Sequence, residues 1–277
     1  MGDSRAPVPQ APALALEHIT CAFAAKARDA SAYTAIKDVT LHVAQGEFVS
    51  VVGPTGCGKS TLLNVAAGLL APSSGKVTVF GQPLMGINQR AGYLFQAEAL
   101  MPWRNALDNI ASGLIFRGIA KDAARANAQV WLQRVGLSGC GEQYPHQLSG
   151  GMRKRVALAQ TLILDPQILL MDEPFSALDI QTRHLMENEL LELWSANKKS
   201  VVFITHDLEE AIALSDRVIV LSAAPEAGPI GAYAVDLPRP RDVAEIRLTP
   251  QFLQLHRDIW STLKEEVLKG YAQSQRR

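Results

Sequence analysis

Cysteine is scarce in this chain. Cys21, Cys57 and Cys140 stand far apart in 277 residues. That excludes a disulfide framework and any metal-type cysteine spacing, and a reducing compartment is the simple expectation. Net charge is missing too. Lys plus Arg number 27 and Asp plus Glu number 27, whereas a general nucleic-acid binder needs a basic excess to neutralise phosphates. No nucleic-acid partner is expected. No stretch approaches the roughly 18 uninterrupted apolar residues of a spanning helix, so work at a membrane would require another chain to hold this one there. The first sixteen residues carry Arg5, Pro7, Pro9 and Pro12 and no continuous apolar run. They lack the pattern of a secretory signal and read as a loose tail, flexible over 1–13. Charged residues make up 19% and hydrophobic residues 48% of the chain. Such a composition supports one large core or two small ones, with disorder confined to the ends.

What is present is an alternation of strand and helix patterns. LALEHITCAF (14–23) alternates as a strand, and residues 24–34 read as a loop. IKDVTLHVA (36–44) gives a second strand, closed by a turn at Gln45-Gly46. FVSVVG (48–53) is apolar on both faces, as a central buried strand requires. A glycine-rich loop follows, then a helix over 60–70 that Pro72 breaks. Residues 98–165 read as mostly helical. Helix formers fill 121–135 ahead of Gly136, and a second helix over 152–164 ends at Pro166. Strands return at 167–171, 200–205 and 218–221. Asp207 and Glu210 have capping-box spacing for a helix at 208–214. Near the end, Phe252, Leu255, Ile259, Leu263 and Val267 recur at helical spacing and are expected to pack in a core. The alternation predicts an α/β fold with a mainly parallel sheet covered on both faces, interrupted by an inserted helical block.

Gly53-Pro54-Thr55-Gly56-Cys57-Gly58-Lys59-Ser60, extended by Thr61, fits the phosphate-loop pattern G-x-x-x-x-G-K-[ST] between the buried strand and a helix. A polyphosphate needs bare backbone N–H groups at a helix N-terminus, where the helix dipole also favours anions. Glycines let the backbone approach without a Cβ and adopt positive φ. Lys59 is expected to neutralise the β- and γ-phosphates and the Ser60 hydroxyl to ligate Mg²⁺. Cys57 serves as a small tolerated side chain. Its place in the loop predicts that a bulky thiol reagent inactivates the protein and that ATP protects it. ILLMDE (168–173) is a buried strand ending in two acids at the ligand-facing edge of a parallel sheet. Asp172 is placed to hold Mg²⁺ through water, and Glu173 to orient or deprotonate an attacking water.

Leu148-Ser149-Gly150-Gly151-Met152 resembles the LSGGQ signature of ABC ATPases. Gln96 in YLFQ resembles the Q-loop glutamine, Ser176-Ala177-Leu178-Asp179 the D-loop, and His206 in FITHD the switch histidine. The resemblance spans about 14–235, with six motifs in order. It implies a P-loop NTPase (RecA-like) core with an antiparallel β subdomain and a helical subdomain at about 97–165. The ATP-binding domain would be 14–245 and the C-terminal helical extension 246–277. It implies ATP and Mg²⁺ as cofactors, Gln96 beside the metal and the γ-phosphate, and His206 on the γ-phosphate. Phe23 or Tyr33 would stack on adenine. It also implies a head-to-tail homodimer in which Ser149, Gly150 and Gly151 of one subunit, with Asp179, cover the ATP held by the other. Arg153, Lys154 and Arg155 fall in the first turn after the signature, where cations oppose the helix dipole. A docked anion or acids of a partner chain would account for them.

Within that family, the stretch from Lys59 to Ser149 is too short for a long coiled coil, and the stretch after His206 too short for an extra regulatory β-domain. FQAEALMPWRNALDNI (95–110) and LSGGMRKRVALAQTLI (148–163) look like the ATPases of nitrate/sulfonate/taurine importers. Thr55 and Met152 are minor departures from the family pattern. The implied protein is a peripheral subunit on the cytoplasmic face of the inner membrane, partnered by permease subunits and a solute-binding protein. Residues 97–109 would carry closure to the permease. The alternatives are a soluble ABC mechanoenzyme or regulator, an importer for a pyrimidine-type solute, and a P-loop small-molecule kinase.

Overall fold

The computed structural model describes residues 10–24, 33–97, 99–176 and 178–274. In chain order the elements are β1 (Leu14–Phe23), β2 (Tyr33–Val43), β3 (Phe48–Val52), α1 (Lys59–Ala66), β4 (Ser74–Val79), β5 (Gln82–Pro83), β6 (Ala91–Leu94), α2 (Ala106–Phe116), α3 (Lys121–Arg134), α4 (Gly150–Leu162), β7 (Ile168–Asp172), α5 (Ile180–Asn197), β8 (Ser200–Ile204), α6 (Leu208–Leu214), β9 (Arg217–Leu221), β10 (Pro229–Ala234), α7 (Val243–Ile246) and α8 (Pro250–Ser274). Residues 1–9 of the expected tail, and most of the 24–34 loop, lie outside the described residues.

The larger sheet has the order β10-β9-β3-β8-β7-β6 and is parallel except for β10, which joins β9 antiparallel. Strands β3, β7 and β8 are buried along their whole length. Their apolar character on both faces requires this, because helices cover both sides. Ile168 and Leu170 pack with α1 residues such as Leu62 and Leu63. Leu169 and Met171 pack on the opposite side with residues of α4, α5, α6 and α8. The smaller sheet, β2-β1-β4-β5, is antiparallel throughout.

The helical block encloses a core of its own. Ala124, Ala128 and Leu132 of α3 recur at i+4 on one face and meet Ile110 and Ala111 of α2 and Val156 of α4. Helix α4 begins and ends two residues before the 152–164 that its composition suggests, because Ser149 takes the N-cap and accepts the Met152 N–H at 3.3 Å. Met152 then packs against the core of the block. Helix α5 has no counterpart in the apolar pattern. Its buried face mixes Met186, Leu190, Leu191 and Trp194 with a fully buried Glu187, which breaks the stripe. On α8, Phe252, Ile259 and Leu263 enter the main core as the spacing predicts, while Val267 is exposed.

Glu187 accepts both Arg247 Nη2 contacts, at 3.1 and 3.3 Å, and Glu210 of α6 is buried nearby. Burial, reinforced by the charges of Glu187 and Asp207, pushes Glu210 up to about 8. Burial raises Glu187 to about 7, against the pull of Arg247. A carboxyl raised in the folded state stabilises the fold fully below its unfolded value near 4.5. That contribution is lost as pH rises through 7 to 8. The thermal midpoint is therefore expected to fall as pH rises from about 4.5 to about 8, and Glu210→Gln should flatten the fall. Melting curves across that window test this, and an unchanged slope in the variant would refute it.

Candidate functional site

Strand β3 runs directly into the glycine-rich loop, and α1 starts at Lys59. Gly58 has φ +93°, and a Cβ there would lie 2.5 Å from Ile36 Cγ2. Only glycine meets both demands. Lys59 is buried and its Nζ donates to the Gly53 carbonyl at 2.9 Å and the Pro54 carbonyl at 3.1 Å, so the cation is held across its own loop. Ser60 Oγ donates to Asp172 Oδ1 at 3.1 Å. Burial raises the pKa of Asp172, with the charge of Glu173 adding to it, while the Ser60 hydrogen bond and Lys59 act the other way.

The chain leaves β7 through Glu173, whose φ of +44° is uncommon for a residue with a side chain. Its N–H donates to the Ile204 carbonyl at 2.9 Å, pinning the bend to the end of β8. Glu173 Oε2 lies 3.3 Å from Gln96 Nε2 and 3.0 Å from His206 Nδ1. Residues following β6, β7 and β8 thus converge on one carboxylate oxygen. Three positions remote in sequence meet because their strands are neighbours in the sheet.

A cavity of about 450 Å³ joins these groups. It is lined by Phe23, Tyr33, Ala35, Thr55, Gly56, Gly58, Lys59, Ser60, Thr61, Gln96, Glu173 and His206. Phe23 and Tyr33 are cross-strand partners in the β1–β2 pair. The two aromatic candidates therefore line the cavity side by side, forming one wall. No residue of 148–152 lines this cavity. Ser149 instead caps α4, and a Cβ on Gly151 would lie 2.9 Å from Thr182 Cγ2 of α5. Asp179 caps α5 and accepts the Thr182 N–H at 3.0 Å; that bond lowers its pKa. Ala177 lies outside the described residues.

Two expectations need correction. The cations after the signature have partners within the chain. Lys154 Nζ donates to the Gln96 carbonyl, Arg153 Nη1 to the Leu148 carbonyl at 2.8 Å, and Arg155 pairs with Glu189 at 3.0 Å. Lys154 and Arg155 brace the helical block against the Q-loop and α5, while Arg153 bonds within the block. Cys57 is fully buried, and burial raises its pKa. Both effects oppose the expected attack by a bulky reagent, since the nucleophile is an accessible thiolate.

Sequence reasoning missed Asn64 and Tyr93. The Tyr93 hydroxyl donates to Asn64 Oδ1 at 3.1 Å, and its ring stacks on Phe95 with centroids 4.2 Å apart. Asn64 belongs to no short motif, and Tyr93 opens the YLFQ stretch that holds Gln96 without a signal of its own. The oxygens of Ser60 and Asp172 are hard donors, as Mg²⁺ requires. Among the described residues there is no group of three or more His, Cys, Asp or Glu that could hold a metal. Among the described residues no helix is long and apolar enough to cross a membrane.

The ABC transporter family matches residues 36–176. An uncharacterised ABC transporter ATP-binding protein of Methanocaldococcus jannaschii is 48% identical over 237 residues, 85% of this chain and 86% of its own length. A taurine import ATP-binding protein of Burkholderia pseudomallei is 42% identical over 241 residues, 85% of this chain and 92% of its own. A dimeric ATP-binding cassette, solved in a post-hydrolysis state with ADP and Pi, superposes with a TM-score of 0.72 at 30% identity, over 81% of this chain and 100% of that one.

Proposed function

Because this chain belongs to the ABC transporter family and is an ATPase, we propose that it is the ATP-hydrolysing subunit of an importer for a small solute of the nitrate/sulfonate/taurine type. It works as a homodimer with permease subunits and a solute-binding protein, peripheral to the cytoplasmic face of the membrane. The observation that carries this reading is the single cavity uniting the phosphate loop, Glu173, His206 and an aromatic wall, with the signature outside it. The importer assignment is supported by the taurine import relatives.

In this reading adenine lies against Phe23 and Tyr33, and the N–H groups of 53–61 receive the phosphates at the α1 N-terminus. Lys59 turns from its own carbonyls to the β- and γ-phosphates. Ser60, Asp172 and Gln96 would hold Mg²⁺, which would neutralise phosphate charge. Glu173 orients and deprotonates the attacking water. His206 and Gln96, both on Oε2, fix the Glu173 rotamer and leave its other oxygen for that water. Ser149 and Gly151 of the partner subunit close over the γ-phosphate, and Asp179 sits at the same junction. Catalysis is positioning and charge stabilisation of an in-line transfer to water. Trp103, exposed in the segment that follows Gln96, faces the permease.

Co-expression with candidate permease and binding-protein partners tests the proposal. In proteoliposomes, ATP hydrolysis should rise when the solute-loaded binding protein is added outside. A chain that never co-purifies with a membrane protein, and hydrolyses ATP at one rate throughout, would favour the soluble mechanoenzyme instead.

A further inference from the structure

Alternation along β6 and β7 puts Tyr93 and Asp172 on one face of the sheet. Tyr93 packs with the cluster that holds Ile168, Leu170 and the α1 residues, whereas Leu94 faces the other side. Tyr93 is paired with Leu170, two residues before Asp172 on the adjacent strand. A long side chain spans such a diagonal. The hydroxyl reaches Asn64 Oδ1 at 3.1 Å. Asn64 lies one turn beyond Ser60 on α1, so both project from the same helix face. Ser60 in turn bonds Asp172. The ring stacks on Phe95, whose neighbour in sequence is Gln96.

We propose that Tyr93 is a positioning residue of the metal-holding pair: its hydroxyl ties α1 to β6 beside the end of β7, so that Ser60 and Asp172 present their oxygens to one cation, and its ring, stacked on Phe95, ties that register to the segment that carries Gln96. This rests on the assignment of Ser60 and Asp172 as the Mg²⁺-holding pair. Tyr93 lies outside the lining of the nucleotide cavity. Its removal should therefore weaken the metal without weakening the nucleotide.

The test uses the full chain in a Glu173→Gln background, in which ATP hydrolysis is expected to be slowed by about 10²–10⁴-fold, with and without Tyr93→Phe, a change that keeps the stacked ring. Calorimetry gives the ATP affinity in EDTA, then the Mg²⁺ concentration that half-saturates the tightening of ATP binding. The Mg²⁺ midpoint should rise about 10-fold, with ATP affinity in EDTA within about twofold of the parent and an unchanged thermal midpoint. An unchanged Mg²⁺ midpoint overturns the proposal. So does a loss of ATP affinity in EDTA together with thermal stability, because the hydroxyl would then serve folding alone. A parent protein indifferent to Mg²⁺ would overturn the metal assignment itself, and that result is read before Tyr93→Phe is made.

Discussion

Replacing Glu173 by Gln should cut ATP hydrolysis by about 10²–10⁴-fold, the usual contribution of a positioned base, while ATP affinity stays within about twofold. The geometry favours so clean a separation. Gln96 Nε2 and His206 Nδ1 both end on Oε2 of Glu173. An amide has one carbonyl oxygen, and that oxygen can accept from both neighbours with the same rotamer. The backbone bend at φ +44° is anchored by the N–H to Ile204, which the substitution leaves intact. Only the oxygen free to take a proton from water is lost. Single-turnover hydrolysis and nucleotide binding, measured side by side, decide the matter. Hydrolysis at the parent rate would remove Glu173 from its role, and loss of ATP binding would show that the carboxylate serves the fold instead.

The second large effect concerns a residue outside the lining of its own chain's cavity. Ser149→Phe in the Glu173→Gln background should leave nucleotide binding by the single chain intact but weaken ATP-driven dimerisation by about 100-fold or more, roughly 2.7 kcal/mol. Residues 148–152 do not line the chain's own nucleotide cavity, so a phenyl group there blocks nothing within the subunit. In the dimer it would stand where the γ-phosphate has to be met. Loss of the N-cap costs about 1 kcal/mol, too little to dissolve α4, whose Val156 and Ala159 are buried in the helical block. Sedimentation with ATP and Mg²⁺ distinguishes the outcomes. A variant that still dimerises like its parent would place the site wholly within one chain.

Much of this protein is local in sequence. The phosphate loop needs consecutive residues because a polyphosphate is gripped by consecutive N–H groups. Gly53 to Thr61 therefore announce themselves without any tertiary information. The fully buried strands do so too, since a strand covered on both faces must be apolar at every position. Other features are not local. Arg155 and Lys154 look like unpaired cations until Glu189 and the Gln96 carbonyl are seen beside them. Helix α5 hides because a buried Glu187 interrupts its apolar face, and that burial is tolerable only with Arg247, sixty residues on in the chain, beside it.

The sequence by itself determined that a triphosphate-binding loop precedes a helix, that two acids end a buried strand, and that the chain alternates strands with helices. Tertiary structure alone decided which side chains meet. The sheet orders its strands β3-β8-β7-β6, out of chain order. Hydrogen bonding between neighbouring strands, not distance along the chain, therefore brings Gln96, Glu173 and His206 to one oxygen and sets Tyr93 beside Asp172. Contacts of that kind arise from packing two faces of one sheet at once, and no window of consecutive residues contains them.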